Sequence, residues 1–145
     1  MSRGGPRTRP VSLGEARLVL GKAEEFLATA AEARTEERNS AATGNSVHAE
    51  INAANARLGA LSGLRGAGQD HNQVVELIKA LPPIGSAAAN QLRRLVPLKT
   101  KAEYDPAPIS AIQAAAAVRQ AEELAATARQ VIARRTLVIA GGRIE

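Results

Sequence analysis

A near absence of rings constrains this chain more than any other feature. Phe26 and Tyr104 are its whole stock of Phe, Tyr and Trp, 1% of the sequence, although 45% of the residues are hydrophobic. An interior of Ala, Leu, Val and Ile has small side chains, and it closes without voids only where helix axes run close together. Wide β-sandwiches and base-stacking platforms draw on more aromatic side chains than these two. A length of 145 residues suits one domain with a core of ordinary size.

No segment alternates apolar and polar residues for long enough to build a sheet, whereas the helical period recurs along the chain. The expected fold is all-α: an up-down bundle of four main helices with one additional short helix. Residues 1–11, with two prolines and three arginines, read as a flexible basic arm; 12–135 hold the bundle, and 136–145 form a tail. That tail could extend the last helix, form a short strand or dock on a partner.

The stretch from Asn39 to Ser62 organises the rest. At helical spacing, Gly44, Val47, Ile51, Ala54, Leu58 and Leu61 form an apolar face, and Asn45, His48, Asn52 and Asn55 form a polar row beside it. Neutral polar groups next to a core need partners, supplied by a neighbouring helix, a second copy of the chain or a ligand. Before this stretch, Ser12 and Glu15 have capping-box spacing and open a helix from Leu13 to about Arg34. After it, Leu64 to Gln69 reads as a turn, and Asp70 with Gln73 starts a short helix that Pro82 and Pro83 stop. A fourth helix runs from about Gly85 to Val96, where Pro97 kinks or ends it and leaves LKTKAEYDPAP as a crossing segment. Ser110 with Gln113 opens a long alanine-rich helix to about Arg134, suited to a central or dimer-facing position.

Net charge is +5, from 19 basic and 14 acidic residues. The excess gathers at Arg3, Arg7 and Arg9, at Arg93, Arg94, Lys99 and Lys101, and at Arg134, Arg135 and Arg143, clusters that meet nucleic acid or an acidic partner when they are not simply solvated. The absence of cysteine removes disulfides, thiolate chemistry and Cys-based metal sites. The opening MSRGGPRTRP has no apolar core, and no run approaches the roughly 18 apolar residues of a membrane span, so a cytoplasmic protein without a membrane partner is expected.

The order of segments, GEARLVLGKAEEFLATAAEA, then ANARLGAL, GQDHNQVVELI, LRRLVPLKTKAEYD and AIQAAAAVRQAEELAATARQVI, resembles that of HEPN domains, the small helical bundles of prokaryotic toxin and antitoxin systems. The likeness covers residues 13 to 134 and is carried best by GQDH and KAEYD. In ribonuclease members of that family, an Arg and a His a few residues apart near the start of a late helix cleave RNA without metal, across a homodimer cleft. The matching segment here is Lys99-Thr-Lys-Ala-Glu-Tyr104. Lys99 keeps the charge without the planar fork of a guanidinium, and Tyr104 does not exchange protons near neutral pH as an imidazole does. The resemblance therefore implies a noncatalytic homodimeric module that binds a protein or a nucleotide, with a nucleotidyltransferase or other protein, or RNA, as its partner. The alternative it implies is a divergent metal-independent ribonuclease using Arg65, His71 and His48 as catalytic residues.

Binding residues on this reading are Asn45, His48, Asn52, Asn55, Lys99 and Tyr104. His48 and its Asn neighbours form either a polar pocket for a nucleotide or RNA phosphate, near Arg57 or Arg38, or a buried ladder that fixes helix register. Arg65 and His71 repeat the family spacing in RGAGQDH, where Asp70 as a cap accounts for the pattern without chemistry. No cofactor is expected, and no metal: neither histidine has a His or Cys at ligand spacing, and Glu50 stands two residues from His48 instead of one turn away.

Overall fold

The computed structural model describes residues 8–66 and 93–142. Strand β1 (Thr8–Pro10) is followed by helices α1 (Leu13–Thr35) and α2 (Asn39–Ser62), strand β2 (Leu64–Gly66), and helices α3 (Leu95–Tyr104) and α4 (Ala111–Gly142). The protein is an all-α bundle, to which the strands add one two-stranded antiparallel ribbon, Thr8 opposite Gly66 and Pro10 opposite Leu64. Among the described residues no helix is long and apolar enough to cross a membrane.

Local chemistry sets the helix boundaries. Ser12 accepts from the Glu15 backbone N–H at 3.0 Å and Glu15 accepts from the Ser12 N–H at 3.0 Å, so the capping box opens α1 by satisfying two orphan donors. Ser110 and Gln113 repeat the exchange at 3.1 Å each way before α4. The α1–α2 hairpin turns at Glu36, Glu37 and Arg38. There the Arg38 N–H reaches the Ala33 carbonyl at 2.8 Å and the Glu37 N–H reaches Arg34 at 3.0 Å, which is a Schellman closure with Glu37 in the left-handed region at φ 61°. Glycine normally takes that place, because a Cβ there crowds the backbone. Gly63 ends α2 in the same region, at φ 75°.

Ion pairs and hydrogen bonds give the helix directions. Arg17 donates to Thr136 at 2.6 Å and Arg129 bonds Glu24 at 2.7 Å, so α1 and α4 are antiparallel. The hairpin makes α2 antiparallel to α1, and α2 and α4 therefore run the same way. Of the 24 residues of α2, 16 are buried, which makes it the enveloped helix of the bundle. Leu20, Val47, Ile51, Leu58, Leu124 and Ile132 form the main core with alanines between them, and Ile109, Ala114 and Val118 pack on Ala30, Ala33 and Ala42 at the other end.

Several expectations change. The arm expected over residues 1–11 is docked at its end: Thr8–Pro10 pair with β2, Val11 bonds the Gly63 carbonyl at 2.8 Å, and its side chain is buried against α2. Leu64–Gly66 is consequently a strand and not part of a turn. Pro97 does not end a helix but lies in the first turn of α3, where its missing N–H removes no intrahelical bond, and Lys99–Tyr104 are helical. The tail continues α4 to Gly142. The helices expected near Asp70–Leu81 and Gly85–Val96 fall wholly or mostly outside the described residues.

Two substitutions test this packing. Glu37→Gly relieves the left-handed strain and is expected to raise unfolding free energy by about 1 kcal/mol in urea denaturation. A Cβ at Gly59 would sit 3.0 Å from Val11 Cγ1, so Gly59→Leu is expected to cost about 1–3 kcal/mol in the same assay.

Candidate functional site

The polar row on α2 divides into groups with different partners. Asn45 donates to the Ala41 carbonyl and Asn52 to the His48 carbonyl, each at 2.9 Å. Both amides thus bond one turn back along their own helix and build no ladder to a neighbouring helix among the described residues. Asn55 is 9% exposed, and its Oδ1 has no hydrogen-bond partner among the described residues. His48 stands apart. Its ring lies 5.2 Å from that of Phe26, tilted by 31°, and its Nε2 is 3.5 Å from Glu103 Oε2 on α3.

Glu103 joins the pieces. Its other oxygen accepts from Lys99 Nζ at 3.1 Å, one helical turn earlier, so a lysine, a carboxylate and an imidazole form a chain between α3 and α2. A shallow cleft of about 230 Å³ opens beside it, lined by Ser40, Ala41, Gly44, Asn45, His48, Ala102 and Glu103. A Cβ on Gly44 would meet Glu103 Oε2 at 3.5 Å, an ordinary contact, so this glycine borders the cleft without being demanded by it.

Of the residues expected in a site, Asn45, His48 and Lys99 therefore converge. Tyr104 ends α3 with its side chain 75% exposed and does not line the cleft, nor do Asn52 and Asn55. Arg65 lies in β2, on a different element from His48, and His71 lies outside the described residues. Glu103 was not singled out by sequence reasoning. The i, i+4 spacing from Lys99 marks it as an ion-pair partner, but its reach to α2 depends on how the helices pack.

A second polar set lies on another stripe of α2, and its burial was not expected. Thr43, Ser46, Glu50 and Arg57 occupy one stripe of α2, all nearly or fully buried, and Thr43 Oγ1, Ser46 Oγ, both Glu50 oxygens and Arg57 Nε have no hydrogen-bond partner among the described residues. Burial, with a smaller contribution from Glu123, raises the Glu50 carboxyl from the ordinary carboxylate range to about 8. Burial also pushes the Arg57 guanidinium below its usual value. Glu50 is thus a neutral acid at pH 7, the form a buried, unpaired carboxyl favours. Among the described residues, no three His, Asp or Glu side chains are grouped so as to hold a metal ion.

The raised Glu50 value has a definite sign. Below about pH 4.5 both folded and unfolded chains hold this proton; between about 4.5 and 8 only the folded chain does, so stability falls across that window as pH rises. Glu50→Gln is expected to remove this slope. Its stability relative to wild type should climb by a few kcal/mol from about pH 5 to above pH 8, measured by urea unfolding at each pH. Parallel stability curves for the two proteins would contradict the assignment.

No protein-family model matches this chain, and no curated protein matches it.

Proposed function

We propose that the chain is a noncatalytic HEPN-like bundle that works as a homodimeric binding module for a protein partner, in a toxin-antitoxin or defence pair. The observation that carries this reading is the carboxylate of Glu103, placed between Lys99 and His48. A phosphate approaching either basic group meets that negative charge, and Lys99 is already engaged at 3.1 Å. The cleft therefore favours a protein surface over a nucleotide or RNA. A donor on the partner would meet Glu103, and an apolar or aromatic side chain would lie on the exposed Tyr104 ring nearby in sequence. A nucleotidyltransferase is the partner class that the resemblance brings forward.

The alternative, a divergent metal-independent ribonuclease, is favoured by one feature: a half-exposed histidine oriented by a carboxylate is the arrangement a general base uses. The two readings separate in one assay. Purified protein incubated with single-stranded RNA is expected to leave it intact; cleavage that disappears in His48→Ala would establish the ribonuclease instead. The role given to Glu103 is checked with ATP as a phosphate-bearing probe. Glu103→Gln should bind ATP severalfold more tightly than wild type, in a salt-sensitive way, because Lys99 and His48 are released. Equal binding by the two proteins would remove the electrostatic basis of the proposal.

A further inference from the structure

Along α4 stand three kinds of exposed residue that no function above uses. Glu122 and Glu123 are exposed in its first half, and Arg134 and Arg135 are exposed in its second. None of these four makes an ion pair with another described residue, in contrast to Arg129, which is held by Glu24. Immediately beyond the arginines, Leu137, Val138 and Ile139 are 73%, 54% and 59% exposed, an apolar turn at the surface. Alongside them an apolar groove of about 550 Å³ runs between α1 and α4, floored by Leu20, Ile132, Ala133 and Leu137.

The spacing gives the pattern its meaning. Glu123 and Arg134 are 134 − 123 = 11 residues apart, about three helical turns, so they share a face at a separation of roughly 16 Å. Between them that face presents Ala126 and Gln130, and the alanine lets another helix come close. A face that is acidic at one end and basic with apolar residues at the other is complementary to itself when reversed.

We infer that α4 is the contact between two copies of this chain, packed antiparallel about a two-fold axis near Ala128 and Arg129. The axis sets Glu123 against Arg134 of the second copy, twice per dimer, while Glu122 and Arg135 lie on the flanks of the helix outside this contact. Leu137 then lies over Gln120 and the small Ala116 of the second copy, so the exposed apolar turn leaves water. The charges set the antiparallel direction, and burial of Leu137 and Val138 supplies affinity. The inference rests on the homodimer reading above and gives it a face, one on α4 and away from the Lys99–Tyr104 segment of α3.

The test is a charge exchange in the full chain, followed by sedimentation velocity, with circular dichroism to check that each variant is folded. Wild type is expected to be a dimer. Glu123→Lys, and separately Arg134→Glu, should each weaken self-association by at least about tenfold, because like charges then face each other twice per dimer. Mixing the two variants should restore a dimer, since both ends of the mixed pair are again attractive. Leu137→Glu should weaken the dimer without being rescued by either variant. A monomeric wild type would overturn both the homodimer reading and this face. A dimer insensitive to the two reversals, or a mixture that stays monomeric, would overturn the face alone. A monomer that binds phosphatidylglycerol vesicles through Leu137 would assign the patch to a membrane and likewise overturn the proposal.

Discussion

Close contact between α2 and its neighbours, permitted by alanine and glycine at the contact points, is the constraint on which the rest of the structure depends. Ala16 and Ala23 of α1, Ala53, Ala54 and Ala56 of α2, and Ala121, Ala125 and Ala128 of α4 are at most 3% exposed. Each contributes little apolar area by itself, but small side chains let backbones approach until dispersion contacts are dense. The arrangement encloses α2 on nearly every side. The polar residues Thr43, Ser46, Glu50 and Arg57 are enclosed with it.

That enclosure explains how the Glu50 carboxyl and Arg57 Nε come to be buried without a hydrogen-bond partner among the described residues. A helix with one wet face would leave such residues to water, and their long side chains would be unremarkable. Here the carboxyl keeps its proton instead, which lowers the cost of burial from that of an ion to that of a neutral polar group. Thr43 and Ser46 on the same stripe add further unmet groups. The centre of the bundle is accordingly where its stability is most open to change by single substitutions.

Much of the fold could be read from the residues, because it is written in local signals. Capping boxes at Ser12 and Ser110 mark two helix starts, and the bounds Asn39–Ser62 match the observed α2. Readings failed where a local rule has two outcomes. Proline ends a helix or begins one, and only the position of Arg94 as the residue before α3 decides for Pro97. The ribbon escaped notice because three-residue strands are too short to show a period and are held by pairing across 54 residues or more of sequence, from Pro10 to Leu64. The site was only partly visible for the same reason. His48 and Lys99 were marked by their chemistry, whereas Glu103 acquires its role by meeting His48 across two helices. Glu50 was hidden because a glutamate in a helix ordinarily faces water, and nothing in its neighbourhood announces that α2 has no wet side there.

The ribbon has a consequence for how the molecule can be handled. Val11 and Ile139 line the same hollow beside Gly63, so the first and last described elements meet at one pole of the bundle, and the Glu36–Arg38 turn lies at the other. A fluorophore attached at Ser12 or Ile139 would lie at that pole and crowd Leu137 and Val138. Labels intended to leave that pole undisturbed belong on the hairpin between α1 and α2, where Glu36 and Arg38 are exposed and their ion pair is a surface one.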